Sequence, residues 1–192
     1  TRDNICYELP EPFFFKITEP TARIVTIPCR KWCKTLPYAE SLWIASGRND
    51  LDYITYYLKR MRDFSDDQVF ARGAYGPRLR HFNGSTTDYK VTETVDASSA
   101  EIDQLRYIVE CFSAEISTRR AIISMGDIMK DDFDTEGCLK KTLDIPCTRE
   151  LHFIKQPNSN KLDVIVKMRS NDIIWGASAV NIFNYTFMQE YM

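Results

Sequence analysis

The sequence predicts an α+β fold with one principal sheet, mixed or antiparallel, flanked by helices. Helical patterns fill the middle of the chain, and three strand-like segments follow them. The last two of these segments flank QPNSN, whose proline, asparagine and serine favour a hairpin turn. This arrangement is typical of an α+β domain, and 192 residues suit a single domain over residues 1–192.

Each helix is predicted from apolar spacing and from the residues that begin or end it. Pro37 suits the first turn of one helix, and Gly47 follows its end. Asp50 suits the N-cap of the next helix, whose apolar residues fall on one face. The predicted helices span residues 37–46, 50–62, 100–115 and 177–192.

Extended and irregular segments make up the rest of the chain. Residues 12–28 are aromatic and β-branched with prolines at the margins, so we expect them to be extended. Residues 71–80 are punctuated by glycine and proline and are predicted to form a loop, as is the polar segment 83–99. The predicted strands are residues 120–125, 150–154 and 161–168.

Composition and charge narrow the classes of function. The chain is 44% apolar and 12% aromatic, which is enough to bury a full core. Its formal net charge is −2, whereas a domain that binds nucleic acid usually carries a basic excess. These values argue against a large polyanionic partner, but a local cluster of arginines could still bind a small anion.

Cysteine usage and hydropathy predict a cytoplasmic protein with no membrane span and no metal. The six cysteines are scattered, and nothing completes a zinc site with Cys29 and Cys33, so we expect reduced thiols. The sequence contains no secretory signal and no apolar run of about 18 residues. The chain opens at Thr1 and stops at Met192 inside an apparent helix, so we expect further residues beyond both ends.

The stretch 144–181 holds side chains suited to covalent chemistry on an anionic ligand. Cys147 directly follows a proline and is a candidate nucleophile. A cysteine attacks as its thiolate, so it needs nearby positive charge, here from Arg149 or Arg169. Arg169 and Ser170 together suit a phosphate group. The two histidines of the chain form no convincing pair with this cysteine, which disfavours a cysteine protease.

Other candidates are spread along the chain. Asn181 offers a donor and an acceptor, and it either reads O4 and N3–H of a uracil ring or caps a helix. Glu40, among apolar and small residues, lies either on a solvent face or in a pocket that raises its pKa. Tyr75 either joins a water network or simply packs. Three more arginines could converge on the same phosphate: Arg2, Arg119 and Arg120.

Taken together, these residues resemble the thymidylate synthase superfamily, which includes the pyrimidine nucleotide hydroxymethylases. The resemblance runs in order through nearly the whole chain, and eight short motifs in register carry it. They are RDN at Arg2, AESLWIASGRNDLDYI (39–54), AYGPRLR (74–80), DQL (103–105), STRRAIIS (117–124), IPC (145–147), MRSND (168–172) and the turn from Gly176 to Asn181.

The resemblance implies a role for each candidate. Cys147 would add to C6 of the pyrimidine, so that C5 takes a one-carbon unit from the co-substrate 5,10-methylenetetrahydrofolate. Glu40 and Tyr75 would organise the water that moves protons, and Asn181 would select the base. Family members are homodimers with shared sites, so we expect a homodimer with the sheet face at its interface. The groups implied for the phosphate are Arg2, Arg169 and Ser170, with Arg119 and Arg120 reaching the phosphate of a partner subunit. The groups implied for the folate are Asp172, Met61 and Phe64.

Departures from the family pattern bear on the product. They are Thr148 in place of histidine, residues 125–127 in place of Trp-Asn, Met61 and Phe64 in place of two tryptophans, and one extra residue between Arg169 and Asn181. In the family, the two tryptophans form a wall of the cofactor site, and their replacement favours access of water to the methylene left on C5. Addition of water there gives a hydroxymethyl group, whereas hydride transfer gives a methyl group.

The sequence therefore predicts a folate-dependent pyrimidine nucleotide 5-hydroxymethylase. It favours dUMP over dCMP, because Asn181 rather than an aspartate fills the base-reading position. Similar hydroxymethylases occur in bacteriophages that modify their DNA. The alternatives are a thymidylate synthase that releases dihydrofolate and a non-catalytic relative that binds nucleotide or RNA.

Overall fold

The computed structural model describes residues 5–93 and 101–192 of the chain. Its α-helices are α1 (Thr35–Ala45), α2 (Leu51–Thr55), α3 (Tyr75–Arg80), α4 (Gln104–Ala114), α5 (Ile128–Asp131) and α6 (Asn181–Tyr191). Its strands are β1 (Ile122–Ser124), β2 (Thr148–Lys155) and β3 (Leu162–Met168). Two 3-10 helices span Pro28–Arg30 and Lys59–Phe64, and a π-helix spans Ile173–Val180 and leads directly into α6.

The three strands form one antiparallel sheet in the order β1–β2–β3. Leu151 in the central strand pairs with Ile123 on one side and with Val166 on the other. The turn between β2 and β3 includes Asn158 at a φ of 54°, a left-handed conformation that asparagine tolerates. The predicted hairpin and the α+β class are therefore confirmed.

One face of the sheet covers the hydrophobic core, and the other is open. Ile123, Leu151 and Phe153 are fully buried and pack among apolar residues of α1, α2 and α4. On the opposite face, Ile165 is 55% exposed and Ile122 is 38% exposed. Because side chains alternate across a strand, the outer face of a single chain carries apolar residues without a cover.

A buried ion pair ties α3 to α5. The Nη1 and Nη2 atoms of Arg78 donate to the two carboxylate oxygens of Asp131 at 2.8 and 2.7 Å. Asp131 also accepts a hydrogen bond from the backbone N–H of Asp127 at 2.9 Å, and Arg78 donates to the carbonyl of Met125 at 3.0 Å. Both side chains are almost completely buried, so these hydrogen bonds replace the water that each charge has lost.

The prediction of a loop over residues 71–80 is wrong, because Tyr75–Arg80 form α3. Gly76 and Pro77 lie in the first turn of this helix, where the missing N–H of proline costs no hydrogen bond. Gly76 also packs closely on the backbone, since a Cβ there would lie 2.4 Å from the carbonyl oxygen of Arg48. The glycine and proline therefore begin a helix that the sequence pattern did not predict.

The helix predicted over residues 50–62 is divided into α2 and a 3-10 helix. Asp50 caps α2 as predicted, but α2 ends at Thr55. Thr55 Oγ1 donates back to the carbonyl of Leu51 at 2.7 Å, a bond that tends to bend helices. Leu58 then leaves the helical conformation, with φ at −141° and ψ at 88°.

Other boundaries differ less from prediction. Residues 12–28 contain no strand and lead into the first 3-10 helix. The helix predicted from residue 100 begins at Gln104, where the carboxylate of Asp103 accepts two backbone hydrogen bonds. The closing helix begins earlier than residue 177, as the π-helix. No helix in the described ranges is long and apolar enough to cross a membrane.

Candidate active site

Cys147 lies in the turn directly before β2 and is half-buried. Its carbonyl accepts a hydrogen bond from the backbone N–H of Arg169 at 2.9 Å, which places the end of β3 beside the cysteine. The guanidinium of Arg169 then donates to the carbonyl of Pro146 at 3.2 Å and to that of Ile145 at 2.9 Å. Arg169 therefore positions the peptide that carries the thiol.

Arg149, the other cation predicted to serve the thiol, is engaged elsewhere. Its Nη2 atom lies 2.7 Å from the carboxylate of Asp132. Gly126 packs against the same guanidinium, since a Cβ there would lie 2.5 Å from Arg149 Nε. The ion pair offsets the charge of Arg149, whereas the guanidinium of Arg169 binds the backbone carbonyls that precede Cys147.

Three hydroxyl groups meet at the residue after the cysteine. The backbone N–H of Thr148 donates to Tyr75 Oη at 3.3 Å, and Thr148 Oγ1 is hydrogen-bonded to Tyr185 Oη. Burial raises the pKa of Tyr75, and the charge of a Cys147 thiolate adds to this shift. Burial also raises the pKa of Tyr185 well above its usual value. Both phenols therefore stay protonated at neutral pH and can donate hydrogen bonds.

Glu40 of α1 faces the interior rather than solvent. Asn184 Nδ2 donates to Glu40 Oε2 at 2.9 Å, and Ser41 Oγ donates to Asn184 Oδ1 at 2.8 Å. Burial raises the pKa of Glu40, and the hydrogen bond from Asn184 opposes this shift without cancelling it. A carboxyl with a raised pKa holds its proton to higher pH and can exchange it during a reaction.

Asn181 is paired with a second asparagine. It has helical dihedral angles at the junction of the π-helix and α6, so it is not a helix N-cap. Its Nδ2 atom donates to Asn171 Oδ1 at 2.8 Å. Gly176 makes room for this pair, because a Cβ there would lie 2.1 Å from Asn171 Oδ1 and 2.6 Å from Asn181 Nδ2.

The π-helix explains how the extra residue before Asn181 is accommodated. A π-helical turn holds one more hydrogen-bonded step than an α-helical turn, so it absorbs an added residue without ending the helix. Asp172 caps this π-helix and accepts a hydrogen bond from the N–H of Trp175 at 2.5 Å. Asp172 and Ser170 are both exposed, beside the Arg169 end of β3.

Several candidates lie apart from this group in the single chain. Arg119 and Arg120 are exposed and precede β1, which pairs antiparallel with the middle of β2, so that the chain before β1 runs toward the far end of β2. At 3.3 Å per residue, the part of β2 beside Arg120 is roughly 20 Å from Cys147. The two residues proposed to line the folate, Met61 and Phe64, are half-buried on the second 3-10 helix, and Met61 packs on the core. Arg2 lies outside the described residues.

Sequence reasoning missed Tyr185, Asn184 and Asn171 and treated Thr148 only as a departure. A signal for two of them exists, because Asn184 and Tyr185 follow Asn181 by three and four residues and so share its helix face. The contact between Thr148 and Tyr185 joins residues 37 positions apart, and no local pattern predicts it.

Comparisons with known proteins identify the family of the chain. A family model described as thymidylate synthase matches residues 13–192. The chain is similar to proteins called deoxyuridylate hydroxymethyltransferase from Bacillus phage SP01 (32% identical over 181 residues), Pseudomonas phage M6 (31% over 193) and Delftia phage PhiW-14 (29% over 181). The alignments cover 94%, 100% and 92% of this chain but 44%, 48% and 44% of the relatives. The chain thus spans about half the length of the curated relatives it matches.

Proposed function

This chain belongs to the thymidylate synthase family, and we propose that it carries the catalytic cysteine of a folate-dependent dUMP 5-hydroxymethylase. The observation that carries the proposal is the similarity over nearly the whole chain to three deoxyuridylate hydroxymethyltransferases. The network around Cys147 supports it, because that network supplies a nucleophile, a protonated carboxyl and hydroxyl groups together.

Cys147 begins the reaction as a thiolate. Its sulfur adds to C6 of the uracil ring, and the electrons of the C5–C6 double bond move toward C5 and O4. Methylenetetrahydrofolate supplies the one-carbon unit that bonds to C5 and leaves as tetrahydrofolate. The guanidinium of Arg169, held on the carbonyls of Ile145 and Pro146, fixes the peptide that carries the cysteine.

Glu40 and Tyr75 serve the proton transfers. The raised pKa of Glu40 suits a group that gives a proton toward O4 and takes it back as electrons return. Tyr75 suits orienting the bound water that takes the proton from C5, because its buried hydroxyl stays protonated and can hold that water by a hydrogen bond. Loss of that proton and of tetrahydrofolate leaves a methylene group on C5.

Water then adds to this methylene group and gives up a proton to the surrounding water network. The electrons held at C5 and O4 re-form the C5–C6 double bond, and the C6–S bond breaks with its electron pair leaving on the Cys147 sulfur. The hydroxyls of Tyr75, Thr148 and Tyr185 provide donors and acceptors that could hold a water molecule beside the cysteine. Histidine, the residue usual at the Thr148 position in the synthases, would fill more of this space. The polar cluster is the physical reason to favour a hydroxymethyl product over a methyl product.

The binding roles follow from position. Arg169 and Ser170 lie at the end of β3 and suit the 5′-phosphate, with Arg2 as a further group, and Asn181 suits the base. Folate fits beside the π-helix, where the carboxylate of Asp172 stands next to an apolar surface for a flat ring. That surface consists of Ile173, Ile174 and Trp175, each at least half exposed. Met61 and Phe64 would lie farther along the folate.

A homodimer through the outer sheet face would complete the site. The apolar residues Ile122 and Ile165 suit such an interface. Arg119 and Arg120, which lie far from Cys147 in their own chain, could then reach the phosphate bound by a partner subunit.

The covalent step is tested with 5-fluoro-dUMP and methylenetetrahydrofolate, because fluorine at C5 prevents the proton loss that completes the reaction. We expect a covalent adduct on a peptide containing Cys147, detected by mass spectrometry. Cys147→Ser should abolish the adduct, and Cys138→Ser, at an exposed cysteine, should leave it unchanged. Absence of any adduct would favour the non-catalytic alternative.

A further inference from the structure

The side chain of Asn181 is held in place by a neighbouring asparagine, because its amide nitrogen donates a hydrogen bond to Asn171. The two side chains join the start of α6 to the segment after β3, with 2.8 Å between Asn181 Nδ2 and Asn171 Oδ1. Asn171 is two residues from Arg169, whose backbone N–H donates a hydrogen bond to the carbonyl of Cys147. The pair therefore connects the base-reading position to the end of the strand that positions the nucleophile.

We propose that Asn171 is a specificity-determining positioning residue, which sets the orientation of the Asn181 amide so that it accepts uracil and rejects cytosine. This inference rests on the proposed function, in which Asn181 reads the base. Asn171 acts through its hydrogen bond with Asn181.

The chemistry follows from the donors and acceptors of an amide. Asn181 has two N–H groups and one oxygen, and one N–H is used on Asn171. The other N–H and the oxygen remain side by side as one edge. That edge matches O4 and N3–H of uracil, because the N–H donates to O4 and the oxygen accepts from N3–H.

Cytosine presents the opposite pattern, with a donor at N4 and an acceptor at N3. To bind it, the Asn181 amide must turn over and bring its oxygen to the position of its nitrogen. Two acceptor oxygens, Asn181 Oδ1 and Asn171 Oδ1, would then face each other without a proton between them. An unsatisfied contact of this kind costs about as much as a lost hydrogen bond, or roughly 3- to 10-fold in affinity.

Gly176 lies against both amides of this pair. A Cβ on Gly176 would lie 2.1 Å from Asn171 Oδ1, so the glycine hydrogen in that direction points at this oxygen. A C–H group is weakly attracted to a carbonyl oxygen, whereas an NH2 group in the same place would oppose hydrogen to hydrogen. The same Cβ position lies 2.6 Å from Asn181 Nδ2, so the glycine hydrogen is nearer to the acceptor of the pair than to its donor. The orientation of Asn181 therefore follows from its hydrogen bond to Asn171 Oδ1.

The test compares two substitutions of Asn171 that have similar size but differ in whether the side chain can accept a hydrogen bond. Asn171→Asp keeps an acceptor, and Asn171→Leu removes it. The dissociation constants of dUMP and dCMP, and kcat/KM with each nucleotide, are measured for both variants and the wild type. Asn160→Leu, at an exposed asparagine in the β2–β3 turn, is the matched control.

We expect Asn171→Asp and the control to keep the dUMP/dCMP ratio within about 2-fold, and Asn171→Leu to lower it by roughly 3- to 10-fold. The proposal would be overturned if Asn171→Leu left the dUMP/dCMP ratio unchanged, or if Asn171→Asp lowered this ratio as much as Asn171→Leu does. A wild-type protein that prefers dUMP in binding but makes no product would refute the proposed reaction alone, because the binding ratio still tests Asn171. A wild-type protein that binds neither nucleotide would overturn both proposals.

Discussion

At the scale of single residues, the clearest consequence concerns Glu40. Burial raises its pKa above the ordinary value of 4.5, so the folded protein holds this proton at pH values where the unfolded chain has lost it. Stability is then lost as pH rises from the unfolded pKa to the folded pKa, and it stays lower above that range. The destabilisation is about 1.4 kcal/mol for each pKa unit of the shift.

Glu40→Gln should therefore stabilise the protein at neutral pH, because glutamine keeps an acceptor for Asn184 and carries no charge. Denaturant unfolding at about pH 4 and about pH 8 should show the gain only at the higher pH. The same variant should lose about 100-fold or more in kcat, since it cannot exchange a proton. A variant that is less stable than wild type at the higher pH would contradict the raised pKa.

The residue types of the site were predictable, but most of their partners were not. Cys147, Arg169 and Glu40 were recognised from motifs and from an unusual neighbourhood in sequence. The partner of Glu40 is Asn184, which is 144 positions away. Such a contact depends on how α1 packs on α6, and no local spacing encodes it. Arg149 was misjudged for the same reason, since its partner Asp132 lies on another element.

At the scale of elements, the proposal gives the π-helix a part in base recognition, because Gly176 in this helix lies against the Asn171–Asn181 pair. Gly176→Ala would place a methyl group against the Asn171–Asn181 pair and force the two side chains apart. We expect KM for dUMP to rise by roughly 3- to 10-fold and overpacking to cost about 1–3 kcal/mol of stability.

The control for this change is Gly137→Ala. Gly137 has nothing near its Cβ direction, but its φ is 78°, so alanine there costs stability without touching the site. Steady-state kinetics and thermal unfolding separate the two effects. If both variants lose stability but neither changes KM, Gly176 has no role in base recognition.

Sequence patterns predicted the elements that rest on local chemistry. The β2–β3 hairpin follows from its turn residues, and α2 and α4 begin at aspartates that cap them. The pattern over residues 71–80 does not predict α3, because glycine and proline punctuate this segment, although proline is tolerated in a first turn. Apolar spacing does not predict the π-helix either, since a helical pattern alone does not distinguish a π-helix from an α-helix.

At the scale of the whole molecule, the Arg78–Asp131 pair holds two parts of the chain together. Asp131→Ala leaves the guanidinium of Arg78 buried with no carboxylate, so we expect a loss of about 3–5 kcal/mol in the free energy of unfolding. Asp63→Ala is the control, because Asp63 and its partner Arg60 are mostly exposed at 3.9 Å. That change should cost about 0.5 kcal/mol or less. Equal losses in the two variants would show that burial of the pair is unimportant.

The proposed shared site predicts complementation between two inactive variants. Cys147→Ser lacks the nucleophile, and a double variant with Arg119→Ala and Arg120→Ala lacks the arginines given to the partner. Coexpressed subunits should regain about a quarter of wild-type activity, because half of the dimers are mixed and each mixed dimer holds one intact site. Activity no higher than that of either variant alone would contradict a shared site.

The central claim is that water, not hydride, completes the reaction on dUMP. The most direct measurement incubates the protein with dUMP and methylenetetrahydrofolate in water enriched in heavy oxygen and analyses the nucleotide by mass spectrometry. We predict a product heavier by one CH2O unit that carries the heavy oxygen, with tetrahydrofolate released. A product heavier by one CH2 unit, with no label and with dihydrofolate released, would contradict the claim and identify a thymidylate synthase.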